Sequence, residues 1–476
     1  MKFIRSFLLC LLIIPASAQK RPPNIIFIMA DDLGYGDLGS YGQTKIRTPY
    51  LDQMAREGMR FTQFYAGAPV CAPSRCVLMT GKHGGHAFIR DNKEWKPEGQ
   101  YPIPANEITI AEILKNRGYV TGGFGKWGLG YPGSEGDPNK QGFDLFYGYN
   151  CQREAHNFYP DHLWRNDKKI MLEGNDRGLT GKQYSHDLIE AEALEFIKAN
   201  KDKPFFAYLP FTIPHLALQV PDDSLAEYVG KFDDPAYDGK NGYLPHPHPR
   251  AVYAAMVTRM DRTVGRVFAL LKDLKLDENT LVIFTSDNGG AFGEVSKNFE
   301  FSPGRMGGTD YVFFNSTSNF KAFKGSVYEG GLRVPFIARW AGKIKAGTTN
   351  NLPAVFYDVM PTLTEIVGIK TPQKTDGVSL APTLLGKGKQ QKHEFLFWDF
   401  GGYGGQQAVR IGDWKGLRRN LHLGNTKVEL YNLAVDVGEK NDVAAQNPKI
   451  VEKVYKIMRE QHQKSEIFPI KVLEKL

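Results

Sequence analysis

The chain has 476 residues, of which 42% are hydrophobic and 24% charged, and its formal net charge at pH 7 is +8. This length is enough for one large domain and a smaller one. The positive charge favours anionic ligands, but the sequence has no dense run of lysine or arginine and no nucleic-acid-binding motif, which argues against nucleic acid as a partner.

Residues 1–18 are predicted to be a signal peptide. Lys2 and Arg5 precede a short apolar run, and Ala16-Ser17-Ala18 is typical of a cleavage site. We therefore expect an exported protein, periplasmic or extracellular, whose mature chain begins at Gln19. No later stretch reaches the ~20 apolar residues that a membrane-spanning helix needs, so we predict no membrane span.

The mature chain would keep three cysteines, Cys71, Cys76 and Cys151. An odd and low number of cysteines in an exported protein argues against a disulfide scaffold. At least one thiol must then be unpaired or chemically altered.

Apolar β-rich runs alternate with amphipathic helical segments along residues 19–387. The predicted strands are 24–29, 119–124, 204–211, 281–285 and 334–340, and the predicted helices are 49–57, 74–80, 109–118, 186–199, 252–274 and 357–367. This alternation predicts an α/β domain with a large, mostly parallel sheet flanked by helices. Residues 292–321 are rich in Gly, Phe and Asn and are predicted to form a long surface loop.

The sequence pattern changes after residue 387. Short predicted strands at 395–400, 407–411, 414–417 and 428–433 are separated by Gly, Asp and Asn turns, and a helix is predicted at 448–464. Residues 388–476 are therefore predicted to be a small α+β domain with an antiparallel sheet and one helix.

Charged or metal-binding side chains follow four of the predicted parallel strands. They are Asp31-Asp32, Lys126, His215 and Asp287-Asn288. Because ligands of such sheets bind outside the carboxyl ends of the strands, we expect these side chains to converge at one edge.

Asp31, Asp32, Asp287 and Asn288 offer hard oxygen ligands, which suit Ca²⁺ or Mg²⁺ and not zinc. Three carboxylates at one point would repel one another without a cation. Asp31-Asp32 alone also fits a turn or a helix cap, so the metal hypothesis depends on the second pair.

The segment Cys71-Ala72-Pro73-Ser74-Arg75-Cys76-Val77-Leu78-Met79-Thr80-Gly81 carries the most specific motif. The predicted helix 74–80 places Cys71 near a helix N-terminus, where the helix dipole favours anions, and Arg75 adds a fixed positive charge. By itself, C-x-P-S-R also fits a core cysteine followed by a proline turn.

In order, these motifs resemble those of the type I, formylglycine-dependent sulfatase family of the alkaline phosphatase superfamily. The C-x-P-S-R…T-G segment, Gly125-Lys126-Trp127, and the run from Lys324-Gly325-Ser326 to Arg333-Val334-Pro335 each match a family motif. The resemblance covers nearly the whole mature chain. It implies an alkaline-phosphatase-like fold and the removal of sulfate from a sulfated polysaccharide or oligosaccharide.

The resemblance also implies residue roles. A dedicated formylglycine-generating or sulfatase-maturating enzyme would oxidise Cys71 to formylglycine, whose hydrate attacks sulfur. One Ca²⁺ would be held by Asp31, Asp32, Asp287 and Asn288 together with the side chain at position 71. Arg75 would stabilise the ionised hydrate, Lys126 and Lys324 would bind the sulfate, and His215 would protonate the leaving alcohol.

The chain departs from the family pattern at Gly128, where the family usually has a histidine that helps release sulfate from the enzyme. We favour His156 as the replacement, although a structural or substrate-binding role for it fits equally, and His83 and His86 are also open. Lys82 stands where the family usually has arginine, which keeps the charge but loses the bidentate geometry.

Two alternatives remain open from the sequence. The chain could be a phosphodiesterase or phosphonate monoester hydrolase of the same superfamily, or an inactive carbohydrate-binding relative. For a sugar substrate, aromatic side chains could stack on the rings, and Gln406 and Arg410 could contact hydroxyl or carboxylate groups. The aromatic candidates are Trp127, Tyr159, Trp164, Tyr403 and Trp414.

Overall fold

The structure is a computed structural model that describes residues 21–475 except 241 and 292, so the predicted signal peptide lies outside the described residues. The strands are β1 Asn24–Ala30, β2 Met59–Tyr65, β3 Val120–Lys126, β4 Leu145–Tyr149, β5 His162–Arg165, β6 Lys168–Met171, β7 Phe205–Pro210, β8 Thr280–Ser286, β9 Glu294–Val295, β10 Phe301–Ser302, β11 Arg333–Arg339, β12 Thr348–Asn350, β13 Ala354–Val355, β14 Leu396–Phe400, β15 Gln406–Ile411, β16 Trp414–Arg419 and β17 Glu429–Asn432. The α-helices are α1 Pro49–Glu57, α2 Cys71–Thr80, α3 Ile110–Asn116, α4 Ser185–Ala199, α5 Asp222–Leu225, α6 Pro249–Asp273, α7 Tyr311–Phe314, α8 Glu329–Leu332, α9 Val359–Ile366, α10 Ala381–Leu385 and α11 Pro448–Gln461.

An eleven-stranded sheet forms the centre of the fold, in the order β12-β2-β11-β8-β1-β7-β3-β4-β5-β6, with β13 also paired to β2. Strands β8, β1, β7, β3 and β4 are parallel, whereas β11 is antiparallel to both β8 and β2. The predicted large, mostly parallel sheet is confirmed.

Helices cover both faces of this sheet, and strand β1 shows why its sequence is apolar throughout. Ile25, Phe27 and Met29 pack into the core beneath α2, α3 and α9, while Ile26 and Ile28 pack into the core beneath α1, α4 and α6. Side chains of a strand alternate between faces, so a strand buried on both faces is hydrophobic at every position.

The outer strands of the sheet were not predicted from the sequence. Strand β2 mixes Arg60, Thr62 and Gln63 with its apolar residues, and β5 and β6 are short and partly exposed. Residues 292–321 were predicted to form a long loop. In the described part of this range, the strands and α-helices are limited to the two-residue strands β9 and β10 and the single-turn helix α7.

The C-terminal residues form a four-stranded antiparallel sheet, β14-β15-β16-β17, with α11 packed against it through Val454 and Met458. The predicted small sheet with one helix is confirmed. Within residues 21–475, apart from 241 and 292, no helix combines the length and apolar character required to cross a membrane.

A buried ion cluster joins the small sheet to the large one. Lys415 of β16 lies 2.8 Å from Glu329 of α8 and 3.0 Å from Glu439, and none of the three side chains is exposed. Burial opposes ionisation of Glu329, but Lys415 and Arg333 outweigh it and lower its pKa to about 2. Burial, partly offset by Lys415, raises the pKa of Glu439 to about 7.

We predict that Lys415→Met destabilises the protein strongly, because it leaves buried carboxylates without their cation. The expected loss in the free energy of unfolding is about 3–5 kcal/mol, measured by urea titration. Lys427→Met is the control, since Lys427 is an exposed partner of Asp442 at 3.9 Å and should contribute less than about 1 kcal/mol. Equal losses in the two variants would contradict the prediction.

Candidate active site

The ends of β1 and β8 bring four oxygen-bearing side chains together. The two strands are parallel neighbours in a register that pairs Ala30 with Ser286, so the residues that follow them, Asp31-Asp32 and Asp287-Asn288, lie side by side. The backbone amide of Asp32 donates to Asp287 Oδ1 at 3.2 Å, and Asp32 itself adopts a left-handed backbone with φ 62°. This turn directs the Asp31 and Asp32 side chains to the same edge of the sheet.

Basic side chains from three other places complete the cluster. Lys126, at the end of β3, has its Nζ 2.7 Å from Asp31 Oδ2. Lys324, in the loop before α8, has its Nζ 2.8 Å from Asp32 Oδ2. His215, just beyond β7, has its Nε2 3.3 Å from Asp32 Oδ2 and 3.2 Å from the Lys324 Nζ.

Cys71 is the first residue of α2 and lies at the middle of this cluster. Its Sγ is 3.5 Å from Asp31 Oδ1 and 3.4 Å from the Nζ atoms of both Lys126 and Lys324. The predicted helix 74–80 begins three residues earlier than expected, so Cys71 is its first residue and not only near its N-terminus.

Two side chains of α2 fix the helix to the end of β8. The Ser74 hydroxyl donates to the Asp287 carbonyl oxygen at 2.5 Å. The Arg75 guanidinium donates twice to Asp287 Oδ2, at 2.8 and 3.1 Å, and also to the Lys126 carbonyl oxygen. Position 71 is thereby held against the acidic strand ends.

Burial and close charges shift the pKa values of these groups. Burial opposes ionisation of Asp31, but Lys126, His215 and Arg75 outweigh it and lower its pKa. Burial raises the pKa of Asp32 despite Lys324, and burial together with Asp31 raises the pKa of Asp287 to about 6. Burial and Asp31 also raise the pKa of the Cys71 thiol to about 12.

The residues present fit a hard cation. The Asn288 amide nitrogen donates to Asp32 Oδ1 at 2.6 Å, while its Oδ1 is buried and has no hydrogen-bond partner among the described residues. Ligand atoms of Asp31, Asp32, Cys71 and His215 all lie within 4.8 Å of one another. Three carboxylates beside an unpaired amide oxygen form the oxygen-rich set that Ca²⁺ accepts.

The structure thus brings nine of the predicted site residues into one buried cluster. They are Asp31, Asp32, Cys71, Arg75, Lys126, His215, Asp287, Asn288 and Lys324.

His156 lies at the edge of the same cluster. Its ring stacks on that of His215 with 4.6 Å between centroids and 15° between planes. Burial and the neighbouring His215 and Lys126 lower its pKa well below the usual value, so the ring is neutral at pH 7.

His83 and His86 are not part of the cluster, so the suggestion that either replaces the family histidine is wrong. Both histidines follow the C-terminus of α2, whereas Cys71 is at its N-terminus. The length of this helix separates them from Cys71 by about 15 Å. His86 Nδ1 pairs with Asp376 at 2.9 Å. His83 Nε2 pairs with Gln461 Oε1 at 3.1 Å, and its Nδ1 accepts from the Gly85 amide, so both ring nitrogens are engaged within the fold.

Two tyrosines lie close to the cluster. Tyr403, from the turn between β14 and β15, is 37% exposed and lies near Phe301 and Phe400. Tyr243 has its ring centroid 5.5 Å from that of His156 and 6.3 Å from that of His215. Tyr403 was predicted from the sequence as a sugar contact, but Tyr243 was not, because it lies in a loop without hydrophobic periodicity.

Three suggested sugar contacts are structural instead. The Gln406 amide donates to the Gly325 carbonyl oxygen at 2.6 Å, and Arg410 donates to the Tyr65 hydroxyl. Trp127 is buried and donates its indole N–H to the Gly136 carbonyl oxygen. Gln406 holds the backbone of Gly325, the residue after Lys324, so it contributes to the site only by fixing the chain there.

Comparison with known families identifies two matching regions. Residues 23–369 match the family model "Sulfatase", and residues 320–466 match "N-sulphoglucosamine sulphohydrolase, C-terminal". Together the two regions cover the large sheet and the C-terminal sheet.

Individual proteins agree with this result. Human arylsulfatase A is 35% identical over 428 residues, covering 84% of this chain and 75% of the relative. Dog N-acetylgalactosamine-6-sulfatase is 33% identical over 388 residues, covering 78% of this chain and 67% of the relative. The crystal structure of Ps i-CgsB in complex with k-i-k-neocarrahexaose superposes with a TM-score of 0.77 at 29% identity, covering 93% of this chain and 94% of that one.

Proposed function

The chain belongs to the sulfatase family, whose members are sulfuric ester hydrolases, and we propose that it removes sulfate from a sulfated carbohydrate through a formylglycine made from Cys71 and one bound Ca²⁺. The observation that carries this proposal is the position of Cys71: its Sγ lies between two lysine amines and the carboxylate of Asp31. A separate maturation enzyme would carry out the oxidation of Cys71.

The charges around position 71 suit the binding of a sulfate ester. Lys126 and Lys324 reach the side chain at position 71 from two sides, so both would hold the oxygens of the sulfate. Arg75 is fixed by Asp287 and would stabilise negative charge on the nucleophile. When bound, Ca²⁺ supplies charge that offsets the buried carboxylates and polarises the sulfate, and hydrated formylglycine supplies the attacking oxygen.

His215 and Lys324 form a pair that can protonate the leaving alcohol. His215 Nδ1 lies 2.5 Å from the Leu216 carbonyl oxygen, so Nδ1 carries the hydrogen and Nε2 of the neutral ring is an acceptor. Lys324 Nζ is 3.2 Å from that Nε2 and can donate to it. The pair therefore shares a proton next to the position of the ester oxygen.

Several features support a carbohydrate as the substrate. Tyr243 and Tyr403 provide aromatic faces close to the cluster, and sugar rings stack on such faces. The similar structure of Ps i-CgsB contains k-i-k-neocarrahexaose. We further propose that residues 1–18 direct export, that residues 19–387 are the catalytic domain, and that residues 388–476 form a C-terminal domain that completes the site entrance.

We predict that purified protein matured in a competent host carries formylglycine at position 71 and hydrolyses an aryl sulfate. Cys71→Ala should lower kcat/KM by more than about a thousandfold, because it removes the nucleophile. Cys76→Ala is the matched control, since Cys76 lies on the same helix within the apolar core. Mass spectrometry of the peptide that contains position 71 checks for formylglycine, and an aryl sulfate assay gives kcat/KM. Preference for the matching phosphate ester would instead support a phosphoester hydrolase.

We predict that chelation of Ca²⁺ with EGTA abolishes activity and lowers the melting temperature by several degrees, because the cation binds only the folded protein. Added Ca²⁺ should restore both properties better than Mg²⁺. In Asp287→Asn the calcium concentration needed for half-maximal stabilisation should rise at least tenfold. Asp376→Asn, at the half-buried acid beside His83, should respond to calcium like the wild type. Activity unchanged by chelation would contradict the metal assignment.

We predict that Tyr403→Ala raises KM for sulfated oligosaccharides by about three- to tenfold, the size of one aromatic contact, and changes KM for an aryl sulfate by less than twofold. Tyr50→Ala is the control because Tyr50 is an exposed tyrosine on α1. A panel of defined sulfated oligosaccharides gives the KM values. Equal effects on both substrate types would assign Tyr403 a structural role.

A further inference from the structure

Gln152 lies at the same sheet edge as the catalytic cluster, and the proposed reaction described above does not use it. It follows β4, which pairs in parallel with β3 in a register that places Tyr149 beside Lys126. The carboxyl end of β4 therefore points to the same edge as that of β3. Gln152 is only 6% exposed, so its side chain is enclosed beside the cluster and not spread on the surface.

The amide of Gln152 is buried without a partner. Neither its Nε2 nor its Oε1 makes a hydrogen bond with any part of the chain that the structure describes. A buried unsatisfied amide is costly and rare in native folds, because it loses its bonds to water and gains none in return. The arrangement is explained if the partner arrives with the substrate.

The Gln152 amide lies beside Gly128 and Arg75, and this position indicates where its partner would bind. A Cβ atom added to Gly128 would lie 2.6 Å from Gln152 Nε2 and 3.8 Å from Arg75 Cδ. The amide therefore fills the space next to Arg75 that any side chain at position 128 would enter. Gly128 also has a φ of 82°, a left-handed backbone that favours glycine.

The site already holds the positive charge that an anion needs. Arg75, Lys126 and Lys324 pair with the carboxylates of Asp31, Asp32 and Asp287, and the proposed Ca²⁺ would supply the excess positive charge for the sulfate. An amide N–H adds a hydrogen bond to an anion without changing that balance. Such a fixed donor stabilises negative charge that develops during reaction.

We propose that Gln152 Nε2 donates a hydrogen bond to an oxygen of the bound sulfate, so that Gln152 is a catalytic residue that occupies the space left by Gly128. This inference rests on the proposed sulfatase function, and it assigns to Gln152 a contact with the transferred group.

The first test measures binding of inorganic sulfate to the calcium-loaded protein by isothermal titration calorimetry. Gln152→Leu keeps the volume but removes the donor, so the Kd for sulfate should rise about tenfold, and Gln152→Glu should raise it further through repulsion. The melting temperature of the sulfate-free Gln152→Leu protein should stay the same or increase, because an unsatisfied amide is gone.

Gln219→Leu is the matched control. Gln219 is also buried, but its amide bonds the Phe158 amide and the Gly178 carbonyl. This substitution should lower the melting temperature and leave the sulfate Kd within about twofold of the wild type. Gln152→Leu should change the sulfate Kd without lowering the melting temperature, whereas Gln219→Leu should do the reverse. This difference distinguishes a ligand contact from a structural contact.

The second test measures kcat/KM for an aryl sulfate, which should fall about ten- to a hundredfold in Gln152→Leu. Gln152→Met gives an independent variant if the first folds poorly. An unchanged sulfate Kd together with an unchanged kcat/KM, in an enzyme whose wild type is active, would overturn the role of Gln152. Wild-type protein that hydrolyses no sulfate ester would instead overturn the proposed function itself.

Discussion

Three carboxylates buried at the carboxyl edge of one sheet determine where the basic side chains of distant elements must lie. Asp31, Asp32 and Asp287 leave water entirely, which is unfavourable unless positive charge surrounds them. That charge comes from distant elements: Arg75 from α2, Lys126 from β3, and Lys324 from the loop before α8. The order of strands in the sheet is what lets these elements meet.

The C-terminal sheet takes part in this arrangement although it holds none of the nine clustered residues. Gln406 of β15 anchors the Gly325 carbonyl, and Tyr403 lies over Gly325 itself. Both contacts fix the chain next to Lys324. The cluster of Lys415, Glu329 and Glu439 holds this sheet to α8, the helix that follows Lys324. The placement of Lys324 therefore depends on contacts across both sheets.

Sequence patterns predicted the interior of the fold better than its margins. Strands such as β1 and β8 are buried on both faces and are therefore apolar at every position, whereas β2 alternates with polar residues and β5 and β6 are short. Motif order also identified the residues at strand ends. Tyr243, Gln152 and the structural bonds of Gln406 and Arg410 depend on contacts between remote parts of the chain, which neither periodicity nor local motifs reveal.

The complete burial of α2 has a consequence for the proposed modification of Cys71. Every residue of this helix is buried, and Cys71 is 1% exposed. In the folded molecule, a second protein could not reach this thiol unless α2 first left the core. The proposed oxidation of Cys71 would therefore take place on the nascent or unfolded chain, in competition with folding. A molecule that folds before this step would keep the Cys71 thiol and would lack the nucleophile of the proposed reaction.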